Sequence, residues 1–207
     1  MTYIDGFNLY FGLKEAGFER YLWLDLFRLS LKLLKPGQRL LHTKYFTSRI
    51  KSPEDKRLRQ AEYLDALATL NHLTTYEGQF LSKKSTCLHC GRERQVNEEK
   101  MTDVNIATQL LLDAFTDQFD TALIVSADSD LVPPIKAIRE RFPTKRVICV
   151  FPPKRFSNEL RKACHAAFEI GRANLAASVF PDEVITPAGI VLKRPPSWGA
   201  SDAVASP

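Results

Sequence analysis

Thr121-Ala122-Leu123-Ile124-Val125-Ser126, followed at once by Ala127-Asp128-Ser129-Asp130-Leu131, decides the fold of this chain. The first half is a continuous apolar run with β-branched residues, the signature of a buried strand. The second half is polar, and helical periodicity starts at Leu131, with Pro133 and Pro134 tolerated in a first helical turn. A strand that runs into a carboxylate-bearing turn and then into a helix is the repeating unit of a parallel α/β sheet.

The same alternation continues outward in both directions. Strands are expected over 2–4, 40–46, 74–81, 121–126 and 146–151, and helices over 23–34, 53–70, 102–115, 131–141 and 158–164. In the third helix Val104, Ala107, Leu111 and Ala114 form a stripe at spacings of three and four, with Thr102 at the capping position. Residues 1–170 therefore read as one α/β domain with a mainly parallel five-stranded sheet. Residues 82–101 read as a charged insertion at the sheet edge, a hairpin turning at 88–91. Residues 171–207 form a C-terminal extension whose end, 199–207, is small, polar and expected to be disordered. Pro195 and Pro196 precede Trp198, which suggests an extended segment whose indole docks back on the domain.

Composition narrows the function. The chain has 207 residues, is 44% hydrophobic and 26% charged, and carries 29 Lys plus Arg against 24 Asp plus Glu. The resulting net charge of +5 favours polyanionic partners. No apolar stretch reaches the roughly 18 residues of a membrane span, and the amino end starts on a strand-like Thr-Tyr-Ile, so a cytoplasmic protein without a membrane partner is expected. Cys149 and Cys164 fall in apolar segments and read as buried residues. Cys87-Leu88-His89-Cys90-Gly91 is a fragment of a zinc knuckle, but a closed structural Zn²⁺ site needs four ligands. Zinc helped by His72 or His89, a metal bridging two chains, and a tight turn with reduced thiols all stay open, as does homo-oligomerisation.

Four aspartates carry the chemistry: Asp5 after the first strand, Asp103 at a helix start, and Asp128 and Asp130 after the fourth strand. Ligands of open α/β sheets bind beyond the carboxyl ends of the strands, where strand order reverses. A sheet of order 3-2-1-4-5 makes strands one and four neighbours there, so Asp5, Asp128 and Asp130 converge. Asp103 joins them if the insertion returns the chain to that edge. Clustered carboxylates suit a hard cation such as Mg²⁺ or Mn²⁺. Each aspartate taken alone also has a structural explanation as a cap or a favourable charge at a helix start. Asn8 stands where it can bind a phosphate or a metal-held water, or cap a helix. Asp113, on the same helix as Asp103, lies roughly 15 Å further along the axis and is excluded from the site.

Ile4-Asp5-Gly6-Phe7-Asn8-Leu9, Glu99-Lys100-Met101-Thr102-Asp103-Val104 and Val125-Ser126-Ala127-Asp128-Ser129-Asp130-Leu131 resemble, in order, the signature segments of NYN domains, a branch of the PIN-like nucleases. The resemblance spans about residues 1–170. It implies a PIN-like, Rossmann-like three-layer sandwich of order 3-2-1-4-5. It also implies a divalent-metal ribonuclease site with Asp5, Asp103, Asp128 and Asp130 as metal ligands and Asn8 as the accompanying amide.

With no Ser-His-Asp or Cys-His pattern among His42, His72, His89 and His165, water activated by one or two metal ions is the expected nucleophile. For RNA contacts the candidates are Arg49 and Lys51 after the second strand, Lys154 and Arg155 after the fifth, and Lys83, Lys84 and Lys100 in the insertion. Phe46, Phe80 and Phe156 are stacking candidates, two of them expected in the core. The main alternative is an RNA-binding module of the same fold without turnover. A haloacid-dehalogenase type of phosphatase falls behind, because that chemistry wants Asp-x-Asp where this chain has Asp5-Gly6-Phe7.

Overall fold

The computed structural model describes residues 1–86 and 93–199, and for residues 79–86 and 93–100 the backbone alone. The elements are, in chain order, β1 (Thr2–Asp5), α1 (Gly6–Glu15), α2 (Leu26–Lys32), β2 (Thr43–Ser48), α3 (Glu54–Ala68), β3 (Leu73–Thr86), β4 (Glu93–Lys100), α4 (Thr102–Phe115), β5 (Thr121–Val125), α5 (Val132–Arg141), β6 (Arg146–Phe151), α6 (Asn158–Ala163), β7 (Ala166–Glu169), α7 (Arg172–Ala176) and the short pair β8 (Glu183–Ile185) and β9 (Val191–Lys193). The main sheet has the order β4-β3-β2-β1-β5-β6-β7. All neighbours in it are parallel except β3 and β4.

The expected five-strand order is therefore present as β3-β2-β1-β5-β6, extended by one parallel strand, β7, at one edge and by the antiparallel β4 at the other. β7 escaped the sequence reading because it is four residues long and mostly exposed, so it carries no apolar run. Helix α1 escaped too, since it begins at the very end of β1 with no loop to announce it. β2 runs over Thr43–Ser48 instead of 40–46 and is buried along its whole length. Its polar residues are satisfied internally: the Thr43 hydroxyl bonds Ser30, Lys44 bonds Gln109 and Asp113, and the Ser48 hydroxyl meets that of Thr102. A hydropathy pattern cannot register a strand whose buried polar groups are paired with residues far along the chain.

Strand alternation gives the sheet two apolar faces. Ile4, Tyr45, Leu123 and Val125 point toward α1, α2, α3 and α7, while Tyr3, Phe46, Ile124 and Cys149 point toward α4, α5 and α6. The three layers follow from these two faces. Cys149 and Cys164 are both buried on the second face. In α4 the buried stripe is Ile106, Leu110 and Ala114; of the stripe expected at Val104, Ala107, Leu111 and Ala114, Ala114 is buried, whereas Ala107 and Leu111 are half-buried. Val104 is exposed, because Thr102 turns inward to Ser48 and sets the rotation of the helix. Thr102 is thus not the cap; that position belongs to Met101, in the left-handed region at φ 78°.

The insertion forms the expected hairpin. β3 leaves the sheet after Gly78, paired with Ser48, and Gln79 then pairs with Lys100 on the returning β4. Its turn, including Cys87, His89 and Cys90, lies outside the described residues. Beyond α7 the chain crosses the first face, where Trp198 is buried against Tyr63 and Trp23 with ring centroids 5.8 and 6.5 Å away. Among the described residues no helix is long and apolar enough to cross a membrane.

Candidate functional site

The carboxyl ends of β1 and β5 meet where strand order reverses. Asp5 is the last residue of β1 and also the N-cap of α1: its Oδ1 accepts the Asn8 backbone N–H at 3.0 Å. Its Oδ2 accepts the Ser126 hydroxyl at 2.9 Å. Ser126 Oγ accepts in turn the backbone N–H of Asp128 at 3.0 Å, and Asp128 Oδ1 accepts the N–H of Asp130 at 2.9 Å. Asn8 closes the other side, its Oδ1 accepting the Ala127 N–H at 3.1 Å. Asp5, Asn8, Asp128 and Asp130 thereby belong to one hydrogen-bonded turn, keyed by Ser126.

Asp103 approaches from the hairpin. Because Gln79 pairs with Lys100 just beyond the Ser48–Gly78 pair, the chain returns to the carboxyl edge before α4 begins. Thr102, next to Asp103, contacts Ser48 with 3.3 Å between hydroxyl oxygens, and α4 packs over β1 and β2. Asp5 is in register with Phe46 and shares its face, the α4 face, so Asp103 starts its helix on the same edge and the same face. Among the described residues no three carboxylate, imidazole or thiolate groups are disposed to hold one ion directly.

The electrostatics are unbalanced. Burial above all holds the Asp5 carboxyl above the ordinary carboxylate range, and the charge of Asp128 adds to that shift. The Asn8 and Ser126 hydrogen bonds oppose it without overcoming it. Among the described residues no cation contributes to the shift, so Asp5 and Asp128 share a half-dry turn without a described counter-charge beside Asp5. The donors are all oxygen, which fits a hard divalent cation better than zinc or copper.

The proposed RNA contacts are spread around this edge. Arg49 follows β2 and holds Glu77 through bonds of 2.8 and 2.9 Å, so a phosphate there competes with a carboxylate. Lys51 is exposed. Lys83 and Lys84 lie on β3 and Lys100 ends β4. Lys154 sits at φ 59° in the turn after β6, and Arg155 is paired with Glu15 of α1. That turn presses on α1 at Gly12, where a Cβ would stand 2.7 Å from the Pro153 carbonyl oxygen. Lys154, Arg155, Arg161 and the exposed Phe156 line a groove of about 550 Å³ beyond β6 and β7. Phe46 is fully buried between Tyr3 and Tyr76 and is unavailable for stacking on a base.

Sequence reasoning missed Ser126, whose hydroxyl joins Asp5 to the Asp128 turn; a serine two residues before that aspartate was the available signal. It also missed Gly6, where a Cβ would lie 2.7 Å from both the Phe46 carbonyl and the Tyr45 hydroxyl.

Comparison with known proteins adds three findings. A family model described as NYN domain matches residues 1–171. The chain is 31% identical, over 95% of its length and 74% of the other's, to 6-hydroxy-3-succinoylpyridine 3-monooxygenase HspA of Pseudomonas putida (strain DSM 28022 / S16). A crystal structure of a protein of unknown function from Vibrio parahaemolyticus RIMD 2210633 superimposes with a TM-score of 0.54 over 86% of this chain and 94% of that one, at 15% identity, a likeness of fold alone.

Proposed function

The chain belongs to the NYN domain family, a nuclease-like branch of the PIN-like fold, and from that premise we propose that it is a divalent-metal-dependent ribonuclease. The observation that carries this reading is the buried Asp5 carboxylate, hydrogen-bonded through Ser126 to the Asp128 turn and without a cation beside it among the described residues. Asp5 and Asp128 would hold Mg²⁺ or Mn²⁺, with Asp103 and Asp130 bordering it. A bound ion supplies charge neutralisation at the phosphate and makes water more acidic.

The chain's own residues supply the rest. Ser126 and Asn8 fix the turn that carries Asp128, so that the carboxylates are set before substrate arrives. Lys154, Arg161 and Phe156 offer charge and an aromatic face along the groove beyond β6, the combination that single-stranded nucleic acid requires. Lys51, Arg49, Arg155 and the hairpin lysines 83, 84 and 100 extend the positive border.

The test is cleavage of labelled single-stranded RNA with Mg²⁺ or Mn²⁺, beside EDTA controls and Asp128→Asn and Asp5→Asn. Wild type should cut and both variants should lose at least a hundredfold in rate, while retaining RNA binding. Equal binding with no cutting in any of the three makes the chain an RNA-binding module instead. The same preparation is offered 6-hydroxy-3-succinoylpyridine, the compound in the relative's name. Turnover there, without RNA cleavage, transfers the assignment to that chemistry.

A further inference from the structure

On the opposite face of the sheet from the carboxylates lies a cavity of about 150 Å³ that the nuclease reading does not use. Its floor is buried and built from segments far apart in sequence: Leu24, Tyr45 of β2, Tyr63 of α3 and Trp198 of the C-terminal extension. Two of the polar side chains that line the cavity are already engaged. The Tyr63 hydroxyl donates to the Leu24 carbonyl at 2.9 Å, and the Gln60 amide bonds the Ser48 carbonyl and the Ile50 N–H at 2.9 and 2.7 Å. With Leu24, Tyr45, Tyr63 and Trp198 as its surface, the floor favours an apolar, flat body. Cavities of roughly this size accept one benzene ring, and rings of tyrosine and tryptophan favour stacked or edge-on aromatic guests.

The mouth has the opposite character. Three cations line the cavity, Lys14, Lys56 and Arg59, and among the described residues no carboxylate does. Lys56 is exposed on the first turn of α3 with no acidic partner among the described residues, and Arg59 shares its guanidinium only with the largely exposed Asp55 at 2.9 Å. Phe11 stands exposed beside Lys14 on α1, an apolar side chain held at an entrance. An apolar aromatic slot with a cationic rim selects a planar ring that carries an anion at one end.

We propose that this cavity, roofed by α1 and α3 and floored by Tyr63 and Trp198, is a binding site for a small free aromatic carboxylate. The ring lies against Tyr63 and Trp198, and the carboxylate meets Lys56 and Arg59. This site is separate from the carboxylate turn, so it stands or falls apart from the nuclease reading.

Both tryptophans of the chain sit in this cluster, so their fluorescence reports its occupancy. The full chain is titrated with benzoate, benzamide and uridine 5′-monophosphate. Benzoate should quench saturably, benzamide should bind about tenfold more weakly, and Lys56→Met should narrow that difference, Lys56→Met with Arg59→Met erasing it. Ile50→Phe, which fills the cavity from its side, should abolish benzoate binding, whereas Asp128→Asn should leave it unchanged. Failure of benzoate to saturate, benzamide binding as tightly as benzoate, or indifference to Lys56→Met overturns the proposal. Tighter binding of uridine 5′-monophosphate than of benzoate also overturns it, because the cavity is then a nucleotide subsite.

Discussion

Replacing Lys44 by methionine tests how the second face of the sheet is held together. Lys44 points from β2 into that face, where its Nζ lies 2.7 and 2.9 Å from the two oxygens of Asp113 and 2.8 Å from Gln109 Oε1. Tyr3 donates its hydroxyl to the same carboxylate at 2.5 Å. Both charged side chains are about nine-tenths buried, at 9% and 10% exposure, so Lys44→Met leaves an anion in the core with the Tyr3 hydroxyl as its hydrogen-bond donor and the Met1 ammonium as a more remote counter-charge. Stranding one partner of a buried pair costs about 3–5 kcal/mol. With a urea slope of about 2 kcal/mol/M, the unfolding midpoint should drop by roughly 1.5–2.5 M. The triple variant Tyr3→Phe, Lys44→Met, Asp113→Leu removes the ion pair and the tyrosine hydroxyl together, leaving only the partly buried Gln109 amide, and should recover to within about 1 kcal/mol of wild type, since an apolar replacement of a buried ion pair is near neutral. It should also keep whatever cleavage activity wild type has, because Asp113 lies roughly 15 Å along α4 from Asp103. A loss below about 1 kcal/mol in the single variant would refute the reasoning, as would a triple variant no more stable than Lys44→Met.

Two further outcomes are expected. In metal-free protein Asp5 holds its proton to higher pH than an unfolded chain would, so its contribution to stability is present below about pH 4 and falls as pH rises through the raised folded value. Asp5→Asn should therefore melt higher than EDTA-treated wild type at pH 8 and with a flatter pH profile, and a variant that melts lower at pH 8 sinks the idea. Trp198→Ala removes a buried indole packed on Tyr63 and Trp23 and should cost about 3 kcal/mol in chemical unfolding; a cost under 1 kcal/mol would mean that the C-terminal segment does not hold the first face together.

What the sequence made legible was whatever local pattern controls. The run into Ser126 and the aspartates after it read as strand and turn because apolar continuity and carboxylate placement are local properties. The hairpin at 79–100 was also legible, since charge without apolar content leaves few places to go. Tertiary pairing hid the rest. Lys44, Thr47 and Ser48 look like the end of a strand until Asp113, Gln60 and Thr102 are known to receive them. Val104, Ala107 and Leu111 were read one step out of phase, Ala114 alone in place, for the same reason: Thr102 is an inward residue and not a cap. Ser126 looked like the end of an apolar run, and its role appears only when Asp5, far away in sequence, is brought to 2.9 Å. The aromatic cavity had no signature at all, because Tyr45, Tyr63 and Trp198 contribute one ring each from three separate segments.

Asp5 and Gly6 show how one strand end serves two sites. Strand alternation turns Asp5 toward α4 and the acidic turn, and the chain then enters α1 at Gly6 on the side of Tyr45. Gly6 lines the cavity, and a Cβ there would stand 2.7 Å from the Tyr45 hydroxyl and 2.7 Å from the Phe46 carbonyl, one contact toward the cavity and one to the backbone of β2. Any side chain at position 6 must displace the ring that forms the cavity wall or push β1 away from β2, and the second movement drags Asp5 from Ser126. The closeness of β1 and β2 at this point therefore fixes both the carboxylate turn and the aromatic slot, and a glycine after the aspartate is a requirement of packing before it is one of chemistry.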